Sequence, residues 1–180
     1  MSISHEMYKK ISKYYLREAR SCLESKAYRM AIISAATSAH IALYTTLLGS
    51  KEYQQNDKVD TFSNVLKKIK EIKKWQPIED DIEWLMNARN AVAHPEEWIT
   101  SKTETDSSGL PTCTIEVKIN PPANKKKIHT AIMFNDLEKL SEFAEEAIKK
   151  TEKIIIRLGF SVERNTVREI EEHRKKFMQW

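Results

Sequence analysis

Apolar residues recur at helical spacing through most of this chain, and the interruptions between the runs are short. Met7, Ile11, Tyr14, Tyr15 and Leu23 share one side of a helix expected over residues 4–25. A second helix follows almost at once and ends at Gly49, and so short a junction makes the two antiparallel neighbours. Phe62, Val65, Leu66, Ile69 and Ile72 predict a third helix over 61–75, with lysines opposite. Pro77 restarts the chain. Glu79, Asp80 and Asp81 behind it face the positive end of a helix dipole, so a fourth helix is expected to run to His94, where Pro95 stops it. Leu137, Leu140, Ala144, Ala147, Thr151, Ile154, Ile155 and Leu158 form a long stripe between Asn135, an N-cap, and Gly159. A more polar helix over 162–177 closes the chain.

Between residues 96 and 134 the pattern changes. Asp106-Ser107-Ser108-Gly109 and Pro121-Pro122 bracket a segment, 112–119, that alternates apolar with polar side chains and reads as a strand. Its expected partner is 128–134, which makes a hairpin inserted after the fourth helix. The fold class is therefore mainly α, a bundle of five to six helices with an inserted β-hairpin, and residues 1–180 read as a single domain. Ile33, Ala36, Leu43, Leu47 and Leu66 are expected in its core.

Composition narrows the class of protein. Only 3 Gly and 5 Pro occur in 180 residues, and 31% of residues are charged, as in a helical globular chain. With 30 basic against 26 acidic residues the net charge is +4, which permits contact with RNA without requiring it. Cys22 and Cys113 lie far apart without paired-ligand spacing, so they read as thiols of a reducing, cytoplasmic compartment. The N-terminus lacks the apolar run of a secretory signal. Met30 to Leu48 carries no Asp, Glu, Lys or Arg and nears membrane-span length, but its Ser, Thr and Ala content favours a helix buried within protein. No membrane association is expected.

Candidate chemistry concentrates at the end of the fourth helix. Helical spacing puts Ile78, Ile82, Leu85, Met86, Val92 and Ala93 on one side, with Arg89 in the middle of that stripe. A guanidinium cannot lose its proton, so a core-facing arginine needs an anion, a carboxylate or a wet cleft. Asn90 and His94, four residues apart, flank the stripe on one face. The competing reading makes Arg89 the partner of an acid on another helix and His94 a cap. Glu79, Asp80, Asp81 and Glu83 suit a first helical turn better than a metal site, and neither metal nor cofactor is expected. His40 reads as a hydrogen-bonded core residue. The lysines at 67, 68, 70, 73 and 74, and those at 125–127, read as solvated faces on which RNA backbone can lie.

Arg89-Asn90-Ala91-Val92-Ala93-His94 resembles the motif of the HEPN superfamily: Arg, a polar residue, three more residues, then His near a helix end. Two long N-terminal helices, an alanine-rich second one, then the motif helix and closing helices resemble the family's bundle over most of the chain. Arg168 and His173 have the same interval, but the three glutamates between them would repel phosphate. The resemblance implies a metal-independent endoribonuclease in which Arg89, Asn90 and His94 are catalytic. Attack by the RNA 2′-hydroxyl would leave 2′,3′-cyclic phosphate and 5′-hydroxyl ends. It further implies a homodimer through the motif helix and a toxin or defence role with an antitoxin partner. The alternative is a non-catalytic HEPN-like module that binds nucleotide, RNA or protein. Glu96 stands where one toxin-type branch carries a tyrosine, and the 96–134 insertion follows the motif directly.

Overall fold

A computed structural model describes residues 5–51, 61–93, 99–105, 111–117, 127–128, 130–132 and 135–160. The protein is mainly helical. Helices α1 (His5–Glu24), α2 (Tyr28–Leu48), α3 (Phe62–Lys70), α4 (Glu79–Ala93) and α5 (Leu137–Arg157) surround one hydrophobic core, and a 3₁₀ turn, Lys73–Ile78, joins α3 to α4. The helix expected over 162–177 lies outside the described residues.

The bundle is organised around α2, which packs against α1, α3, α4 and α5. Its composition makes that possible. Ala31, Ala35, Ala36, Ala39 and Ala42 are fully buried, and side chains this small bring neighbouring backbones close. Close approach is visible where α1 crosses: the Ser12 hydroxyl donates to the Ser38 carbonyl at 2.9 Å, and the Ser38 hydroxyl donates back to the Ser12 carbonyl at 2.7 Å. On the other side the Thr151 hydroxyl of α5 donates to the Ala35 carbonyl at 3.0 Å. These bonds satisfy hydroxyls that would be costly to bury alone. By length and composition α2 is the one helix among the described residues able to cross a membrane, but 61% of its most apolar window is buried inside the bundle.

Local signals set the helix ends. Thr61 caps α3 by accepting from the Asn64 N–H at 3.2 Å, and the Asp136 carboxylate caps α5 by accepting from the Lys139 N–H at 3.1 Å. Asn135, expected in that role, instead takes the left-handed backbone conformation at φ 50° that delivers the chain to Asp136. Gly159 ends α5 beyond its last turn at φ 80°, where a side chain would be strained. The third helix is shorter than expected, because the chain tightens into the 3₁₀ turn that contains Pro77.

Three further expectations are corrected. Met7 and Tyr14 are exposed, and α1 buries Ser12, Leu16 and Ala19 instead, because the small α2 surface accepts small side chains most closely. Ile33 is half-buried, whereas Ala36, Leu43, Leu47 and Leu66 are buried. Residues 127–128 and 130–132 are helical, so they are not the partner of a strand over 112–119. Ile128 and Ala131 are buried at helical spacing. The hairpin as read from the sequence is therefore not supported. What the backbone has is an antiparallel ribbon of β1 (Ile99–Thr105) and β2 (Pro111–Val117), in a register that pairs Ile99 with Val117 and Thr105 with Pro111.

Candidate functional site at the end of helix α4

Helix α4 begins in a knot of charge. Its first turn carries Glu79, Asp80 and Asp81, as a helix N-terminus favours. Lys70 of α3 lies 3.3 Å from Glu79 and 3.2 Å from Glu83. Asp81 is buried against α5, where Lys150 donates to Oδ1 at 2.8 Å. Lys153 Nζ lies 2.6 Å from Oδ2, an ion pair rather than an aligned hydrogen bond. Burial alone would raise the Asp81 carboxyl, but the two ammonium groups hold it below the usual carboxylate range. Lys150 also reaches Glu146 at 3.0 Å and lies 5.5 Å from the Trp84 ring centroid. These carboxylates serve the α3–α4–α5 junction. Among the described residues no group of three or more His, Cys, Asp and Glu is arranged to hold a metal ion.

Along α4 the buried positions are Asp81, Ile82, Leu85, Asn87, Ala88, Ala91 and Val92. The apolar stripe thus passes through Ala88, and Arg89 sits beside it, half-buried. This corrects the mid-stripe placement of Arg89. The difference is one of size: Ala88 is fully buried in the core, where an arginine would push the neighbouring helices apart. Arg89 Nη1 donates to the Asn90 side-chain carbonyl at 3.3 Å, and Asn90 is also half-buried. Among the described residues no carboxylate pairs with Arg89, in contrast to the acid partner of the competing reading. His94 lies outside the described residues, as do Glu96, Arg168 and His173.

His40 lies on α2, the helix that packs against α4. Its ring stacks on Phe62 at the start of α3, centroids 5.0 Å apart and planes 10° from parallel. Nε2 is buried without a hydrogen-bond partner among the described residues, contrary to the hydrogen-bonded core residue expected. Burial, and then the charge of Arg89, hold the imidazole below its ordinary pKa. No local motif marks His40. The available signal was a single histidine in the long uncharged stretch from Met30 to Leu48.

Of the lysines read as solvated faces, Lys68 pairs with Glu71 at 3.2 Å, and Lys74 lies 4.7 Å from the Trp75 ring centroid. Compared with protein-family models, curated proteins and solved structures, the chain finds no match in any of the three.

Proposed function

We propose that this protein is a cytoplasmic, metal-independent endoribonuclease of HEPN type, with Arg89, Asn90 and His94 as its catalytic residues. The observation that carries the reading is Arg89, a permanent cation half-buried at the end of α4 and bonded, among the described residues, to an amide and not to an acid. A guanidinium so placed offers at least part of its donor fork to an anion, and phosphate matches that fork bidentately. Asn90, already within reach of Arg89, orients the guanidinium.

The reaction needs a base, an acid and a cation. His94 takes the proton from the RNA 2′-hydroxyl, whose oxygen then bonds to phosphorus. The bond from phosphorus to the 5′-oxygen breaks, and that oxygen receives a proton from an imidazolium. Arg89 offsets the charge that builds on the phosphorane. The products are a 2′,3′-cyclic phosphate and a 5′-hydroxyl. In a homodimer paired through α4, His94 of one copy serves as base and that of the second copy as acid. RNA is the substrate, and an antitoxin partner fits a toxin or defence role.

The test is incubation of purified protein with RNA in the presence of a chelator. Cleavage is expected to persist, to disappear in His94→Ala, and to spare a strand with deoxyribose at the scissile position. A requirement for magnesium, or 5′-phosphate ends, would overturn the mechanism. RNA binding without cleavage would leave the non-catalytic module in its place.

A further inference from the structure

Helix α5 carries Lys149, Lys153 and Arg157 four residues apart, so each cation stands one helical turn from the next. Like charges at this spacing weaken a helix, and only Arg157, in the last turn, is offset by the dipole. Lys149 has Glu145 a turn before it at 3.9 Å, whereas the residues a turn before Lys153 and Arg157 are themselves cations. Lys153 reaches the buried Asp81, which Lys150 also bonds, and Arg157 has no ion pair among the described residues. Lys149 and Lys153 keep 70% and 62% of their side chains exposed, so neither is taken out of solvent by its acid. All three cations line one open groove of about 570 Å³ that α5 forms with Pro77 and Ile78 of the 3₁₀ turn. The carboxylate in that lining, Glu152, is bonded by Arg20 at 2.6 Å. Ile156 lies in the same lining and is 60% exposed, and Pro77 is exposed as well. The groove thus joins a row of cations to an apolar patch that the core does not use.

We propose that this groove binds a single nucleic-acid strand, whose successive phosphates lie along Lys149, Lys153 and Arg157. Four residues of α-helix rise about 6 Å, a step comparable with the separation of neighbouring phosphates along a strand. A polyanion on the row replaces the mutual repulsion of the three cations with attraction. Ile156 and Pro77 meet the sugar and base faces that follow the same backbone. An acidic peptide matches the charge, but a chain rich in carboxylates is poor in flat apolar faces to cover that patch. That the strand is RNA rests on the ribonuclease reading; the groove itself does not. Ile78 directly precedes α4, and Arg89 comes eleven positions later, about 16 Å along a helix at 1.5 Å per residue. The groove therefore holds the strand away from the phosphate that reacts, and its residues bind without being catalytic.

The experiment is fluorescence anisotropy of the full chain with a labelled oligouridylate whose ribose 2′-oxygens are methylated, so that it binds without being cut, over a series of salt concentrations. Saturable binding is expected, with an affinity that falls as salt rises. Lys149→Gln combined with Arg157→Gln leaves both ammonium partners of Asp81 in place. This pair is expected to weaken binding about tenfold and to lower the salt slope by about 1.4, two phosphate contacts at roughly 0.7 each. Ile156→Ser is expected to weaken binding about threefold with the slope unchanged. Lys10→Gln combined with Arg29→Gln removes the same charge from exposed positions outside the groove, and affinity is expected to change less than about twofold. Circular dichroism and melting confirm that each variant is folded. No saturable binding by the natural protein, an equal loss in both charge pairs, or full displacement by polyglutamate of the same charge would overturn the proposal. Cleavage of unmodified RNA separates the two readings, since the groove pair is expected to raise KM and leave kcat unchanged. Groove-dependent binding without any cleavage sinks the ribonuclease and keeps the groove. Cleavage with unchanged KM in the groove pair does the reverse.

Discussion

At the start of α4 the buried charge of Asp81 meets two ammonium groups, one of which is shared with Glu146; near its end Arg89 meets, among the described residues, only the carbonyl oxygen of Asn90. The helix and the core are the same at both places. What differs is how fully the protein matches the charge it has brought out of water. A matched buried pair acts as a fastener, because removing one member strands the other. A charge left short of an acid does little for the fold, and its placement is better explained by something that arrives from outside. The contrast divides α4 into a structural end and a candidate working end.

The largest effect that would sharpen this division is catalytic. Arg89→Ala and His94→Ala are each expected to lower RNA cleavage by about 10²–10⁴-fold, the range of a transition-state clamp or a proton transfer, while the melting curve stays near that of the natural protein. Loss of folding in Arg89→Ala, seen by circular dichroism, would break the comparison. At the other end, Asp81→Ala is expected to destabilise the protein by about 2 kcal/mol in a denaturant titration, below the usual cost of breaking a fully buried pair because Lys150 keeps Glu146 and Lys153 is largely exposed. Cleavage per folded molecule should change by less than about threefold, given the distance of a pure fastener from the chemistry.

A smaller effect concerns acid. The folded carboxyl of Asp81 titrates below its unfolded value, so the folded state binds its proton less readily. Its contribution is fully present above the unfolded value, near pH 4, and is lost as pH falls through the folded one. The stability gap between the natural protein and Asp81→Asn, measured by chemical denaturation, should therefore be constant at neutral pH and close below about pH 4. A gap independent of pH would show that Asp81 fastens by shape instead of charge. The smallest effect is the stability change of Arg89→Ala itself, expected within about 0.5 kcal/mol, as for a half-buried side chain whose one bond among the described residues goes to its neighbour in the sequence.

Much of the bundle was legible because caps and periodicity agree: Gly49, Pro77 and Gly159 punctuate helices whose stripes run between them. Legibility ended where neighbouring positions compete. Ala88 and Arg89 both fall near the centre of the stripe, and only packing in the core decides that the smaller one faces inward. Residues 128–134 satisfy a strand pattern, yet Ile128, Ala131 and Ile132 satisfy a helical one equally, and alternation over so short a run cannot separate the two. In the candidate site, Arg89 and Asn90 were found from the motif and are close in space. The unpartnered Nε2 of His40 was not legible, because the residue carries no local motif and its stack on Phe62 comes only from the docking of α3 on α2.

The crossed pair of bonds between Ser12 and Ser38 bears on how freely this protein can vary. Each hydroxyl reaches the backbone of the opposite helix, which fixes the axial position of α1 along α2 and leaves no room for a longer side chain at either serine. The seam works like a keyed joint: α1 cannot slip by one turn without losing both bonds together. In a library of random substitutions, this line of small residues, Ser12 and Ala19 on α1 with Ala31, Ala35, Ser38 and Ala42 on α2, should be among the least forgiving of the molecule, while the exposed Met7 and Tyr14 one face away accept almost anything.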